Sequence, residues 1–417
     1  MRRANDYVET VLQICRKRLD VKTRKPAAES VQFREAWHPM DGVTYLNVAF
    51  NAPIPTVALD AVQVSIRAKQ LPHLVGDAEF FGPAASVRGS LATLLGADPD
   101  DISLTTGAQS GATMVAYALR WSPGDEVLIG RGDFPVHYAT WKPMEEREDI
   151  KLSIVTPRDR FITADDFVEA LTPRTRLVSV SHVRFETGAM LDAPRLAEAC
   201  RKNGTLLLLD VSQSCGSCPF TVSDLGADFL VCAGYKYLLG PWGTGFLWTN
   251  RQHRDRLRAG PYNWLSQGTD IFSRLNLVDP PQSPTMSRWD ANEWSSQGNF
   301  NLTVMEASLK FVLLAGAGLV HDHCQSLIDR LFERLPPACR VASPPERSRR
   351  GVCGCIEAAD RRDTEALYQA LRTASLVVAL REGRIRIAPH LMNSEEDIDR
   401  LLTVITATTE GWRNVAH

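Results

Sequence analysis

Short apolar runs alternate with segments of helical periodicity between about residues 100 and 250, and this alternation is the feature that most restricts the possible folds. Helical spacing marks the intervening segments, such as Ser110–Leu119, Ala164–Ala170 and Ala193–Lys202. Strand, helix and strand in this order predict a mostly parallel, doubly wound α/β sheet. The predicted strands are Ile102–Thr105, Glu126–Ile129, Leu152–Val155, Leu177–Ser181, Thr205–Asp210, Phe229–Ala233 and Gly245–Trp248.

The pattern changes after about residue 250, which indicates a second unit. A chain of 417 residues is also too long for one ordinary hydrophobic core. Asn263–Asn301 is predicted to form long loops and Leu302–Leu319 a helix. We predict an N-terminal helical segment (1–40), a large α/β domain (41–300) and a smaller α+β domain (301–417). The last contains the predicted strands and helices Gly351–Glu357, Thr364–Thr373, Leu376–Leu380, Arg384–Ile387 and Glu395–Thr409.

Charge and cysteine content bear on partners and location. A formal net charge of -2 gives no electrostatic footprint for nucleic acid or an anionic membrane. No apolar stretch approaches the roughly 20 residues that span a bilayer, and the N-terminus lacks the apolar region of a signal peptide. The nine Cys, an odd number, are expected to be reduced thiols. We therefore predict a cytoplasmic protein that binds a small molecule.

Several residues that carry chemistry follow the predicted strands directly. Asp210 ends one apolar run, His182 follows another, Gly107 opens a helix, and Lys236 follows the run Phe229–Ala233. In open α/β sheets, ligands bind beyond the carboxyl ends of the strands. We expect these residues to converge on one crevice.

Lys236 lies in the segment AGYKYLLGPWGTGF, residues 233–246, just past a buried strand and before a glycine-dense loop. Lysine disfavours burial unless it is paired or chemically committed. A Schiff base with an aldehyde is such a commitment. Taken alone, Lys236 would be interpreted as a surface lysine in a turn, because most lysines are solvated.

The segment around Lys236 resembles the lysine motif of the class V aminotransferase superfamily, which contains fold-type I pyridoxal-phosphate (PLP) enzymes. Cysteine desulfurases, kynureninases, isopenicillin-epimerase-like proteins and C–S lyases belong to it. The resemblance covers roughly residues 40–405, with the motifs in the family's order. It implies PLP as the cofactor, Lys236 as the lysine that holds it and then acts as the catalytic base, and an amino acid as the substrate.

The segment LLLLDVSQS, residues 206–214, resembles the family's strand ending in Asp-x-x-Gln. The resemblance implies that Asp210 bonds to the pyridinium nitrogen, which keeps the ring an effective electron sink. It implies that Gln213 bonds to the phenolic oxygen. Without the lysine motif, Asp210 could equally be a helix N-cap.

The segment TTGAQ, residues 105–109, matches the family's phosphate loop. A glycine turn that opens a helix presents free N–H groups to an anion, which makes Gly107 a candidate. Ala108 and Gln109 replace the hydroxyl residues common in the family, so backbone amides are expected to bind more of the phosphate. Tyr235 resembles the tyrosine that helps to bind the phosphate in kynureninases.

Phe134, in the segment GDFP, matches the aromatic residue that stacks on the cofactor, where desulfurases have a histidine. An ordinary core phenylalanine is the alternative. His182 opens the family's SHV…TG segment and could lie near the cofactor or be a core histidine. Phe185 stands where many members have an asparagine, so we expect that contact to be absent or replaced.

The segment RIRIAPH, residues 384–390, resembles the family's C-terminal signature. Its arginine, here Arg386, binds the amino-acid carboxylate, a task that suits a planar guanidinium. Arg384 would share a strand face with Arg386 and is the second choice. Asn51 is a further candidate for contact with the substrate.

Residues 296–301, SQGNFN, align with a loop that relatives contribute to the phosphate site of the neighbouring subunit. Asn299 would make this contact. The resemblance therefore implies a homodimer with shared active sites.

The cysteines and histidines do not form a convincing second site. Cys215 and Cys218 form a C-x-x-C pair that we interpret as small core residues. Cys353 and Cys355 lie in an apolar strand pattern, which raises the pKa of a thiol and keeps it inert. His321, His323 and Cys324 lack a companion pair of ligands, so we predict no metal. No cysteine follows Cys355, so we also predict no catalytic thiol.

The predicted reaction is β-elimination from an S-substituted L-cysteine. The substrate could be a bulky conjugate of a natural-product pathway such as that of ergothioneine or of the lincosamides, with Trp264, Trp289 and Trp294 lining its pocket. Decarboxylation-linked oxidative deamination, epimerisation, transamination and kynureninase-like hydrolysis remain alternatives. A non-catalytic scaffold is a further alternative, which the intact lysine, aspartate and glutamine disfavour.

Overall fold

The computed structural model describes residues 33–255, 257–258, 283–290 and 299–415. Its first part contains a short strand, two long helices and then alternating strands and helices. In chain order these are β1 (Thr44–Tyr45), α1 (Thr56–Gln70), α2 (Asp77–Leu95), β2 (Ile102–Thr105), α3 (Ala108–Ala118), β3 (Glu126–Gly130), α4 (Pro135–Glu148), β4 (Lys151–Val155), α5 (Ala164–Ala170), β5 (Thr175–Ser181), α6 (Ala193–Asn203), β6 (Leu206–Asp210), α7 (Val222–Leu225), β7 (Phe229–Ala233), β8 (Gly245–Thr249) and α8 (Arg251–Arg254).

The second part begins with two consecutive helices and continues with short strands. Its elements are α9 (Asn299–Ala315), α10 (Ala317–Glu333), β9 (Cys339–Val341), β10 (Gly354–Ala358), α11 (Thr364–Thr373), β11 (Leu376–Val377), β12 (Ala379–Arg381), β13 (Arg384–Ile387) and α12 (Glu395–Val415).

A central sheet of seven strands has the order β2-β8-β7-β6-β5-β3-β4. Its pairs are parallel except those of β8, which runs antiparallel to β7 and β2. Each strand lies within two residues of its predicted bounds. The prediction of a mostly parallel α/β fold is confirmed.

The two faces of this sheet are covered by separate hydrophobic clusters. Leu207 and Leu209 of β6 belong to one cluster, and Leu206 and Leu208 belong to the other. Successive side chains of a strand point to opposite faces, so a sheet covered on both faces needs a continuous apolar run. The run TLLLLD meets this requirement and ends at the first charged residue, Asp210.

A second, antiparallel sheet of four strands has the order β12-β13-β10-β9. The strand predicted as Leu376–Leu380 is two strands, which corrects that prediction. β11 pairs with β1, whereas β12 pairs with β13. The chain changes sheets at Val378, which an apolar pattern alone does not reveal.

The helix predicted over Leu302–Leu319 is also two helices. Gly316 takes a φ of 78° between α9 and α10, a conformation that glycine adopts at little cost. The helix begins at Asn299, so the end of the predicted loop region is helical. Apart from 283–290, the rest of that region lies outside the described residues.

Within the described residues, no single helix is both long and apolar enough to span a bilayer. Phe300–Ala315 and Ala317–Glu333 pass the criterion only as a pair, bent by 73°. Met305 and Leu309 of the first helix are buried in the core of the central sheet.

The segment after β1 joins the N-terminal region to the C-terminal strands. The Leu46 amide donates to the Val377 carbonyl (2.9 Å), and the Val48 amide donates to the Ala388 carbonyl (3.1 Å). These bonds join the predicted large domain (41–300) to the predicted small domain (301–417), and this division remains a prediction. The predicted N-terminal helix lies almost wholly outside the described residues.

Candidate active site

Asp210 ends β6 at the carboxyl edge of the central sheet and is buried. Its Oδ1 accepts a hydrogen bond from the Ser212 amide (2.8 Å), and its carbonyl accepts one from the His182 amide (2.9 Å). These bonds fix the carboxylate at the point where two neighbouring strands end.

Lys236 lies in the turn after β7 and is only 6% exposed. Its Nζ makes no hydrogen bond or ion pair with the described residues and lies 5.1 Å from the centroid of the Phe134 ring. Burial lowers the pKa of Lys236; the charge of Asp210 opposes this shift, and that of Arg386 adds to it. A buried, unpaired amine of this kind is suited to react with an aldehyde.

The turn that presents Lys236 depends on a close approach of two backbone segments. The Gly234 amide donates to the Thr244 carbonyl (2.8 Å), and the Gly240 amide donates to the Gly234 carbonyl (2.8 Å). A Cβ at Gly234 would lie 2.3 Å from Thr244 Oγ1, so a larger residue would displace the loop. This explains the glycine in the lysine motif.

Gln213 is buried one turn after Asp210. Its Nε2 donates to the Ala49 carbonyl (3.0 Å), while its Oε1 has no partner among the described residues. An amide nitrogen carries two protons, so one remains for a ligand in the crevice.

The predicted phosphate loop connects β2 to α3. The backbones of Gly107 and Gly245 lie close together: a Cβ on Gly245 would be 2.7 Å from the Cα of Gly107. A Cβ on Gly107 itself would meet no atom within 4 Å, so the space beside Gly107 is open. No side chain caps the first turn of α3. The Gln109 side chain donates to Thr140 Oγ1 (2.7 Å). The backbone amides around Ala108 are thus the groups that the helix offers to an anion.

Phe134 is 37% exposed and contacts Phe185 edge to face, with 5.4 Å between the ring centroids. Asp133, the preceding residue, accepts hydrogen bonds from the Ser181 amide (3.0 Å) and hydroxyl (2.6 Å). These bonds fix the loop that carries Phe134. Its ring face lies toward Lys236 rather than in the core.

Arg184 links the loop of Asp133 and Phe134 to the segment that contains Glu186. It was not among the predicted site residues. It is 4% exposed and contacts the Glu186 carboxylate (2.7 Å), the Arg131 carbonyl (2.8 Å) and the Asp133 carboxylate (3.1 Å). Although burial raises the pKa of Asp133, the neighbouring His137 and Arg184 hold it below its usual value. The signal that could have revealed this network was the pair of opposite charges, Arg184 and Glu186, shortly after the apolar strand β5.

Arg386 is 1% exposed on β13. It donates from Nη1 to the Phe185 carbonyl (2.9 Å) and from Nη2 to Asn47 Oδ1 (3.3 Å). Its Nε has no partner, and no carboxylate of the described residues pairs with it. The guanidinium is oriented by neutral groups and retains donors for an anion.

The second choice, Arg384, lies near the turn of the β12–β13 hairpin. Its backbone is opposite Arg381, and its Nε is buried without a partner among the described residues. Arg386 rather than Arg384 is held by Asn47 and by the segment that carries Phe185.

His182 is buried beside Asp210 and shares a hydrogen bond between Nδ1 and Ser214 Oγ (2.9 Å). Burial lowers the pKa of His182 to about 4, so the imidazole is neutral at pH 7. His182 also lines a cavity of about 760 Å³ to which Lys236 and Arg386 do not contribute.

Three predicted residues remain: Tyr235, Asn51 and Asn299. Tyr235 is half-buried, and burial together with the charge of Asp210 raises its pKa. Asn51 accepts a hydrogen bond at Oδ1 from the Trp242 indole (3.0 Å). Asn299 is the first residue of α9, and most of the loop predicted to reach a neighbouring subunit lies outside the described residues.

All cysteines in the described part of the chain are free and buried. Burial raises the pKa of Cys218 to about 12 and raises the pKa values of Cys324, Cys353 and Cys355. Such thiols are poor nucleophiles. Trp289 is wholly buried in the core, so its predicted place in a substrate pocket is wrong; Trp264 and Trp294 lie outside the described residues.

Comparison with known proteins identifies the family. The model of the aminotransferase class-V family matches residues 77–401, which is most of the chain. An isopenicillin N epimerase from Amycolatopsis lactamdurans is 29% identical over 389 residues, covering 86% of this chain and 93% of that protein. An uncharacterized aminotransferase from Bacillus subtilis, YcbU, is 24% identical and covers 77% of this chain and 83% of its own.

A solved structure agrees with the fold. The cystine C–S lyase C-DES, in complex with its reaction product cysteine persulfide, superposes with a TM-score of 0.78 at 22% identity, covering 87% of this chain and 97% of that chain. The fold and the site define a fold-type I enzyme. The chain belongs to the class V aminotransferase family.

The cofactor predicted from the resemblance, PLP, is the cofactor of this family. The residues present fit it. Lys236 is buried without a partner among the described residues, Asp210 is fixed beside it, and the space over Gly107 is open. When bound, PLP supplies an electron sink for the α-carbon of an amino acid.

Proposed function

We propose that this PLP enzyme is a C–S β-lyase that acts on an S-substituted L-cysteine without a cysteine nucleophile of its own. One observation carries the proposal: an unpaired, buried lysine lies among Asp210, Phe134 and Arg386, whereas every described cysteine is buried. Among the described residues, the site thus offers an amine for proton transfer but no thiolate for attack on sulfur.

Four groups would hold the cofactor. Asp210 would bind the ring nitrogen through a charge-assisted hydrogen bond. The Gln213 amide would reach the phenolic oxygen, and the amides that follow Gly107 would bind the phosphate. Phe134 would cover one face of the ring. Tyr235, which precedes Lys236, would add a hydroxyl near the phosphate.

Arg386 would bind the substrate carboxylate. Its guanidinium is already oriented by Asn47 and the Phe185 carbonyl, so little side-chain freedom is lost when the substrate binds. A buried arginine without an acidic partner also favours a carboxylate strongly over a neutral group. This supports an amino acid as the substrate.

Lys236 would carry the proton. Its lowered pKa increases the fraction of neutral amine, which can accept the proton from the α-carbon. The resulting ammonium can donate that proton to sulfur as the bond between the β-carbon and sulfur breaks. A thiol leaves, and the remaining aminoacrylate hydrolyses to pyruvate and ammonium. One residue then serves as base and acid.

Epimerisation is a second candidate because an isopenicillin N epimerase matches nearly the whole chain. It breaks the same bond between the α-carbon and hydrogen but keeps the bond to sulfur. It also requires a proton to be returned to the opposite face of the α-carbon. Half-buried Tyr235 is a described residue that could supply that proton.

The decisive experiment incubates the holoenzyme with several S-substituted L-cysteines and measures pyruvate, thiol and carbon dioxide together. Equal amounts of pyruvate and thiol without carbon dioxide are expected. Loss of optical activity without pyruvate would support the epimerase instead. Carbon dioxide in proportion to product would indicate decarboxylation.

The absence of a catalytic thiol has its own test. Replacement of Cys324, Cys353 and Cys355 together by Ser or Ala, and separately of Cys215 and Cys218, should leave most of the activity in every variant that folds. Abolished turnover with a normal cofactor spectrum would reveal a catalytic thiol and refute the elimination mechanism.

We also propose a cytoplasmic homodimer whose active sites are shared, with Asn299 reaching the neighbouring phosphate. Sedimentation of the active enzyme at its working concentration tests this, because a fully active monomer would exclude a shared site.

A further inference from the structure

The β12–β13 hairpin brings Arg381 to the strand face that carries Arg386 and Arg384. Ala379 lies opposite Arg386, and Arg381 lies opposite Arg384. Residues two apart on a strand share a face, and directly paired residues share it across the two strands. Arg381 and Arg386 are therefore diagonal neighbours on one face, a separation that long side chains can span.

Arg381 extends toward the segment that borders the active site. Its guanidinium carbon lies 5.6 Å from the centroid of the Phe50 ring. Phe50 is 55% exposed and lies between Ala49, which accepts the Gln213 hydrogen bond, and Asn51, which accepts the Trp242 hydrogen bond. Arg381 thus lies against the segment 49–51, whose residues Ala49 and Asn51 bond to Gln213 and Trp242.

Arg381 has no acidic partner among the described residues. Its Nη1 donates a hydrogen bond to the Leu380 carbonyl (2.8 Å). The register of the hairpin makes the two arginines diagonal neighbours, and burial and the charge of Arg386 both lower the pKa of Arg381. Two partly desolvated like charges repel unless an anion lies near both of them.

We propose that Arg381 binds an anionic group on the side chain of the substrate, so that the preferred substrate is an S-substituted L-cysteine with a second carboxylate. Arg386 holds the α-carboxylate, and Arg381 holds the distal one while Phe50 packs against the intervening chain. This inference names the substrate class of the proposed function and rests on it.

The test uses two amino acids of nearly equal shape and different charge, S-carboxymethyl-L-cysteine and S-carbamoylmethyl-L-cysteine. Their dissociation constants are read from the change in cofactor absorbance of the holoenzyme, independently of any product. The wild type should bind the carboxymethyl compound about tenfold or more tightly, as expected for a charge-assisted hydrogen bond. R381M should abolish this preference because it weakens the binding of the carboxymethyl compound alone. R381K should retain part of the preference.

The matched control is R362M, because Arg362 is exposed and paired with Asp360. It should leave both constants unchanged. Equal affinities in the wild type, a preference that persists in R381M, equal weakening of both compounds, or no detectable binding of either would overturn the inference. If the preference depends on Arg381 but no pyruvate forms, the lyase proposal fails and the role of Arg381 stands.

Discussion

The two parts of the proposed site, a cofactor half with Asp210, Gln213 and Lys236 and a substrate half with Arg386 and Arg381, are built in different ways. Asp210 ends a strand of the central sheet, Gln213 and Lys236 follow strands of that sheet by a few residues, and all three are buried. Arg386 and Arg381 come from the C-terminal hairpin and meet the segment around Asn47 and Phe50, which is remote in sequence. The positions of the residues in the first half depend on where strands end, and those in the second half depend on pairing between segments remote in sequence. Chemistry and selectivity should therefore respond separately to mutation.

The largest effect is expected for K236A. Removal of the amine should abolish turnover and the absorbance of the lysine-bound cofactor, because no other amine is predicted at this position, while the fold persists. Borohydride reduction followed by mass measurement checks the attachment. K202A is the matched control, since Lys202 is exposed and pairs with Glu198. Cofactor that is still reducibly attached to K236A would refute the assignment.

D210A should keep some cofactor bound but lose most activity. A preorganised charge of this kind contributes on the order of several kcal/mol to the barrier. The measurement is kcat at saturating cofactor, with D210N testing shape without charge. A near-wild-type rate in D210A would mean that another acid holds the ring nitrogen and that the cofactor half is wrongly assigned.

R184Q tests whether the two halves are coupled. Arg184 fixes the loop of Phe134, and the next residue supplies the carbonyl that orients Arg386. Its loss leaves Asp133 and Glu186 buried without their partner, which should cost about 3–5 kcal/mol of stability. Chemical denaturation measures this cost.

A second readout for Arg184 separates positioning from mere stability. Below the unfolding transition, KM for the amino acid should rise more than kcat falls. The double variant R184Q/E186Q should recover part of the stability. An unchanged KM would show that the network supports the fold alone.

The smallest effect is expected for H390F. His390 is buried, and both ring nitrogens lack partners among the described residues. Burial lowers the pKa of His390 from 6.5 to about 3. Below pH 6.5 His390 is protonated in the unfolded chain but stays neutral in the folded chain. The free energy of unfolding therefore falls as the pH falls toward 3.

This group alone should reduce the free energy of unfolding by about 2 kcal/mol between pH 8 and pH 5. H390F should remove that part of the decline without loss of stability at pH 8, because it leaves no unpaired polar atom. Denaturation curves at the two pH values measure it. An identical pH dependence in both proteins would contradict this role.

The sequence predicted the central sheet to within two residues because apolar runs and strand ends are local features. The positions of Lys236 and Asp210 at strand ends followed for the same reason. The division between β11 and β12 was missed because it depends on which strand each one pairs with. The helix break at Gly316 was missed because a glycine within an apolar run is compatible with a continuous helix.

The interactions of the substrate half could not be predicted from local pattern. Arg386 was identified by resemblance, but its partners Asn47 and the Phe185 carbonyl are brought to it only by the fold. Many family members have an asparagine at the position of Phe185, and we expected its contact to be absent or replaced. In the structure the Phe185 ring packs on Phe134, and the Phe185 carbonyl accepts a hydrogen bond from Arg386. Arg381 gained significance only from the register of the hairpin.

The pairing of β1 with β11 has a consequence for biosynthesis. A ribosome must add more than 300 residues after Tyr45 before Leu376 exists. At roughly 5–20 residues per second this takes tens of seconds, during which the early segment waits without its partner strand. The strand that ends at Asp210 and the turn that carries Lys236 emerge well before then. During translation, the proposed cofactor half can therefore be assembled before the hairpin that carries the proposed substrate-binding arginines has been made.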